Sequence, residues 1–126
     1  MQVPNAAYSI LLVEDEYLLA AALSAALEDA GYQVTCASNG REGLERALLS
    51  PPDLIITDFM MPQMNGINMI ERLRGAGLQL PIILLTAVPR ENLPVGGHYN
   101  LVIGKPYDEQ ILLSAIQDLI RPTVAR

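Results

Sequence analysis

Cysteine, basic charge and long hydrophobic runs are all scarce in this chain, and each shortage closes off a class of function. Cys36 is the single cysteine, so it forms no intramolecular disulfide and supports no cysteine-based metal centre. Its place in an apolar stretch predicts a small buried thiol. His98 is the single histidine, and one histidine makes no metal site; it reads as an exposed loop residue. Eight Lys and Arg stand against fourteen Asp and Glu, a formal net charge of −6, with no dense basic stretch. Phosphate backbones attract basic surfaces, so nucleic acid is not the expected partner. Met1-Gln2-Val3-Pro4-Asn5 lacks the basic region and long apolar core of a signal peptide. No apolar run approaches the roughly 20 residues that span a bilayer. The expectation is a soluble, cytoplasmic protein without membrane attachment. No Gly-x-x-x-x-Gly-Lys loop is present to cradle a nucleotide.

What is present fits one domain. The chain has 126 residues, 51% of them hydrophobic, enough for a sizeable core. A single unit over 1–126 is expected, with its core over about 7–120 and no output domain attached. Short apolar runs alternate with stretches of helical period. Tyr8 to Val13 reads as a buried strand. Leu19, Ala22, Leu23, Ala26 and Ala30 recur at helical steps, and Gly31 ends that helix. Tyr32 to Cys36 is a second strand. Asn39 resembles an N-cap, with Glu42 completing a capping-box pattern and Leu44, Ala47 and Leu48 forming an apolar stripe. Leu54 to Thr57, Ile82 to Leu85 and Leu101 to Ile103 are further strands. Asn65-Gly66 opens a helix through Ile67, Ile70 and Leu73, closed by Gly75 or Gly77. Asp108 caps a last helix with Leu112, Ala115, Ile116 and Leu119 facing inward. Between Thr86 and Leu101, Pro89, Pro94, Gly96 and Gly97 oppose a regular helix, leaving at most one turn around Arg90 to Leu93 in a loose loop.

Strands without polar alternation, separated by helices, imply an α/β fold: a doubly wound parallel sheet covered on both faces. Ligands in such sheets bind outside the carboxyl ends of the strands. At those ends stand Glu14 and Asp15, Asp58, Thr86, and Lys105. Three carboxylates converging on one crevice repel, so the cluster makes sense around a bound cation. Oxygen-only ligands select a hard ion, and Mg²⁺ is the expected one. A cation-held aspartate beside a lysine can take up a phosphoryl group.

In this order and at these spacings, Glu14-Asp15, Asp58, Met61-Pro62, Asn65-Gly66, Thr86 and Lys105-Pro106 form a strong signal. Over nearly its whole length the chain resembles the receiver domain of two-component response regulators. The resemblance implies a flavodoxin-like five-stranded sheet of order 2-1-3-4-5. It implies that a histidine kinase or histidine phosphotransfer protein phosphorylates Asp58, with Mg²⁺ held by Asp15, Asp58 and the carbonyl of Met60 and reached by Glu14 through water. Lys105 would pair with the phosphoryl oxygens, Thr86 would hydrogen-bond one of them, and the Lys105-Pro106 bond would be cis. Such a protein is a phosphoacceptor that assists its own phosphorylation and dephosphorylation, not an enzyme, and acts as a monomer or weak dimer on a downstream protein partner.

The chain departs from that pattern twice. Val102 stands where most receivers carry the Tyr or Phe that changes rotamer on activation, and Tyr99 is not assumed to replace it. The fourth helix is shortened and rich in Pro and Gly. Both features resemble a stand-alone, atypical receiver subgroup. Two other readings stay open. A phosphate-independent adaptor could keep the fold, although five intact site residues oppose it. A hydrolase of the haloacid dehalogenase type needs a second aspartate two residues after the first, and that place holds Met60.

Overall fold

The continuous apolar runs become strands because both faces of the sheet are covered. A computed structural model describes residues 8–94 and 96–120. The elements are β1 (Ser9–Val13), α1 (Tyr17–Asp29), β2 (Gln33–Ala37), α2 (Gly40–Leu49), β3 (Leu54–Thr57), α3 (Gly66–Gly75), β4 (Ile82–Thr86), a single 3-10 turn (Arg90–Asn92), β5 (Leu101–Gly104) and α4 (Glu109–Ile120). All strand pairs are parallel and the sheet order is β2-β1-β3-β4-β5, as expected. The order reverses between β1 and β3, where open α/β sheets form their ligand crevice.

Alternate strand residues serve two cores. Ile10, Leu12, Leu54, Ile56, Ile83 and Leu85 meet Leu23 and Leu27 of α1 and Leu112 and Ile116 of α4. Leu11, Val13, Ile55, Ile82 and Leu84 meet Ala47 of α2 and Ile67, Ile70 and Leu73 of α3. β3 and β4 are buried at every position. Each fully buried Leu or Ile of this kind contributes about 2 kcal/mol.

Side chains close the starts of α2, α3 and α4. Asn39 and Asn65 accept from Glu42 N and Asn68 N, both at 2.8 Å. Asp108 Oδ1 accepts from Gln110 N at 2.8 Å and Ile111 N at 3.2 Å. The capping box differs in detail from expectation. Glu42 reaches past the cap to the amide and hydroxyl of Ser38, not to Asn39. Gly31 and Gly77 take the left-handed conformation just beyond α1 and α3 (φ 103° and 95°), where glycine is favoured.

Four local expectations are corrected. The buried face of α1 is Ala20, Leu23 and Leu27, and Leu19 and Ala22 are exposed. That helix is apolar nearly all round, so its pattern does not fix its rotation. Leu48 of α2 is exposed, because the adjacent stripe through Gly43 and Ala47 faces the core. Cys36 is exposed, not buried, because β2 is an edge strand. Among its described residues the 87–100 connection is irregular apart from one turn, but it is not loose throughout: Leu93 and Gly97 are buried and its end is pinned by Arg74.

Candidate functional site

β1 and β3 are neighbours, and their register sets two acidic residues side by side. Asp58 N donates to Val13 O at 3.1 Å and Glu14 N donates to Ala37 O at 3.0 Å, so both chains continue in line past their strands. Ligand oxygens of Glu14, Asp15 and Asp58 all lie within 4.8 Å of one another. Glu14 is buried, Asp58 half-buried and Asp15 exposed. Lys105 enters from the end of β5. Its Nζ lies 3.1 Å from Glu14 Oε1 and 3.0 Å from Asp58 Oδ2. The remaining oxygens are partly engaged: Glu14 Oε2 accepts from Glu16 N at 3.1 Å, and Asp58 Oδ1 accepts from Phe59 N at 2.7 Å.

The electrostatics follow from burial and pairing. Burial raises the Glu14 carboxyl above its ordinary value, although the Glu16 amide and Lys105 oppose the shift. Burial alone would lower the Lys105 ammonium; hydrogen bonds and charges from Asp58 and Glu14 outweigh it and hold Lys105 above its ordinary value. Lys105 is the only lysine in the chain. With three carboxylates ionised and one ammonium present, two negative charges stay uncompensated. An all-oxygen donor set with that residual charge fits a hard divalent cation.

Thr86 and Met60 complete the predicted set by position. Thr86 is buried at the end of β4, and its carbonyl accepts from Lys105 N at 2.9 Å. Its hydroxyl accepts from Val88 N at 3.1 Å, so it is turned to the following loop and not to a carboxylate. Met60 lies two residues past Asp58 with an exposed side chain, and among the described residues its carbonyl has no hydrogen-bond partner. That leaves the carbonyl available as a ligand. The loop from Asp58 to Asn65 is held by close approaches at both ends. A Cβ on Gly66 would collide with the Asp58 carbonyl oxygen, and one on Gly40 would collide with that of Met64. The Lys105-Pro106 peptide is cis, as expected.

Beside the crevice lies a mainly apolar cavity of about 420 Å³, with Glu14 and Lys105 on its wall and Leu19, Leu23, Leu85 and Tyr107 among its lining. Tyr107 packs against the α1/α4 core, and burial pushes its phenol up. Tyr17 and Leu18 are exposed at the start of α1, on the segment that follows Glu14 and Asp15. His98 is exposed in the loop. Sequence reasoning missed Arg74. Its partners are main-chain carbonyls in the adjoining turn, at Leu78 and Leu80, and the distant His98 carbonyl and Asn100 side chain, a pattern that leaves no charge pair or motif to find.

Comparison with known proteins agrees with this geometry. The response regulator receiver domain family matches residues 10–117. The transcriptional regulatory protein DltR of Streptococcus agalactiae is 40% identical over 111 residues, covering 86% of this chain and 50% of DltR. The chain spans about half the length of the curated relatives it matches. The receiver domain of the Francisella response regulator 1452 superposes with a TM-score of 0.85 at 26% identity, over 90% of this chain and 97% of that one. Response regulator TrrA of Thermotoga maritima, solved in complex with Mg²⁺ and BeF, gives 0.82 at 29% identity, over 89% of this chain and 98% of TrrA.

Proposed function

The chain belongs to the response regulator receiver domain family, and from that membership we propose that it is a phosphoacceptor of a two-component phosphorelay, with Asp58 as the accepting group. The observation that carries the reading is the bridge of Lys105 Nζ between Asp58 Oδ2 and Glu14 Oε1, at 3.0 and 3.1 Å. It sets a fixed positive charge where phosphoryl oxygens would gather. Phosphoryl transfer asks the protein for positioning and charge neutralisation, with little covalent work.

The donor is a phosphohistidine on a kinase or phosphotransfer protein. A carboxylate oxygen of Asp58 attacks phosphorus in line. The P–N bond breaks, its electron pair stays on the imidazole nitrogen, and the product is an acyl phosphate on Asp58. Lys105 offsets charge on the equatorial oxygens. Thr86 turns its hydroxyl from Val88 to donate to one of them. Asp15, Asp58 and the Met60 carbonyl would hold Mg²⁺, with Glu14 reaching it through water, and the ion would neutralise the charge that builds up during transfer. The TrrA complex with Mg²⁺ and BeF supports that assignment by similarity. Any donor must cover the rim of the crevice, where Tyr17, Leu18 and the neighbouring cavity offer apolar surface.

The product adds about −1.5 to −2 charges next to the 87–107 surface, which a downstream protein partner would read. The protein stores a phosphoryl group and assists its gain and loss; it turns over no separate substrate. Among the described residues no helix is long and apolar enough to cross a membrane. The intact charged set opposes the phosphate-independent adaptor, and Met60 opposes the hydrolase.

Incubation with a labelled small phosphodonor and Mg²⁺ tests the reading. Wild type should take up one phosphoryl group per chain and Asp58→Ala none. Equal uptake by both would overturn the assignment.

A further inference from the structure

β5 is short, lies at the sheet edge and follows an irregular connection, yet it delivers Lys105 to the site. Its apolar residues do not choose its register. Leu101 and Ile103 pack on the α1/α4 side and Val102 on the α2/α3 side. A slip of one residue would exchange the faces, and each core would still receive an apolar side chain. The relation between Thr86 and Lys105 nevertheless depends on the observed pairing, Ile83 with Leu101 through Thr86 with Gly104.

Arg74 supplies what the apolar pattern does not. It stands in the last turn of α3, at the end of the sheet away from Asp58. Nε and Nη2 donate to His98 O at 3.1 and 3.0 Å. Nη1 donates to Leu78 O at 2.9 Å and Leu80 O at 2.7 Å. Nη2 also donates to Asn100 Oδ1 at 3.0 Å. That oxygen accepts from Ile82 N at 2.8 Å as well, while Asn100 N donates to Ile82 O at 2.8 Å. Asn100 is thus fastened to the first residue of β4 in both directions, one position before β5 begins. His98 is held at φ 63°, a left-handed conformation that costs a non-glycine residue energy and persists where its surroundings over-determine it. The planar guanidinium suits this role because its donors are fixed in one fork.

We infer that Arg74 is a positioning residue for phosphoryl transfer: by clamping His98 and Asn100 it locks the β4–β5 register and so sets Thr86 and Lys105 opposite Asp58. The inference rests on the phosphoacceptor reading for its effect on rate, but the register itself is measurable without phosphate. Glu14, Asp15 and Asp58 follow β1 and β3, which the clamp does not touch, so loss of the clamp leaves the cation's carboxylates in place and only withdraws the Lys105 ammonium that bonds two of them.

The test compares Arg74→Met, Arg74→Lys, Asn100→Ala and Asn100→Asp with wild type. Three quantities are measured: phosphoryl uptake from acetyl phosphate, Mg²⁺ affinity, and cross-strand nuclear Overhauser contacts between β4 and β5. Arg74→Met and Asn100→Ala should lose the register contacts and slow uptake on the order of tenfold, since small misplacements of reacting groups are costly. Their Mg²⁺ affinity should stay at or rise above the wild-type value, because the carboxylates keep their places and a displaced Lys105 competes less with the cation. Asn100→Asp keeps the shared acceptor and should match wild type; Arg74→Lys should fall between. If Arg74→Met fails to fold, Asn100→Ala, which leaves four of the five guanidinium bonds in place, gives the decision. Wild-type contacts and uptake in both disruptive variants would overturn the clamp. So would a fall in Mg²⁺ affinity parallel to the fall in uptake, because that marks general loosening. No uptake by wild type would sink the phosphoacceptor reading, and the register contacts would still decide the clamp.

Discussion

The hydroxyl of Thr86 accepts a hydrogen bond from the Val88 amide at 3.1 Å, and this bond joins the end of β4 to the start of the irregular 87–100 connection. A hydroxyl that turns to serve a phosphoryl group on Asp58 has to leave Val88. The near end of the connection is therefore releasable. The far end is held, because Arg74 grips His98 and Asn100. No aromatic ring can carry the change through β5, since its second residue is Val102.

Addition of Mg²⁺ and beryllofluoride should accordingly change amide exchange over residues 87–94, with Val88 foremost, and leave 98–100 unchanged. Local opening of this kind belongs to segments with few regular hydrogen bonds. Thr86→Val, which keeps the shape and removes the hydroxyl, should expose the Val88 amide in the unphosphorylated protein and abolish its response. Protection that changes at 98–100 while 87–94 stays constant would contradict this account.

A second prediction concerns the start of α2. Glu42 is held below its ordinary value of 4.5 by the Ser38 amide, then by the Ser38 hydroxyl and by Arg46. A carboxyl with a depressed folded value adds stability above its unfolded value, and that stability is lost as pH falls through the folded one. Wild type should thus exceed Glu42→Gln in stability at neutral pH, and the gap should close in acid below the ordinary glutamate range. Asn39→Ala should cost about 1 kcal/mol through the lost N-cap bond, and the cost should persist in acid because no charge is involved. Denaturant melts across pH separate the two; a gap for Glu42→Gln that widens in acid would refute the assignment.

These residues show what the sequence makes legible. Strands whose two faces are both covered leave continuous apolar runs, so β1, β3 and β4 stand out, and with them the carboxyl ends where the charged residues gather. Asn39 and Asn65 are legible because capping acts within four residues. Burial on α1 is not, because a helix apolar on nearly every side carries no phase. Cys36 was misjudged since the pattern of β2 does not announce that it is an edge. Arg74 is silent because its acceptors are made by the fold: two are uncharged carbonyls in the α3–β4 turn, and the His98–Asn100 stretch comes within reach only after β4 and β5 pair.

The site itself should be stabilised by removing charge when no cation is present. Glu14, Asp15 and Asp58 bring three carboxylates within 4.8 Å, and Lys105 contacts Glu14 and Asp58 but not Asp15. Asp15 is exposed, so solvent screens it and the repulsion it adds is modest, about 0.5–1 kcal/mol. In metal-free buffer Asp15→Asn should therefore melt above wild type by about 2–4 °C. Mg²⁺ should reverse the order. It binds the wild-type cluster and stabilises it by mass action, whereas the variant lacks a direct ligand and gains little. Thermal melts of both proteins with and without Mg²⁺ read this crossover. A variant that is less stable than wild type in metal-free buffer would show that Asp15 serves the fold and not the cation; a variant that gains as much from Mg²⁺ as wild type would remove Asp15 from the ligand set.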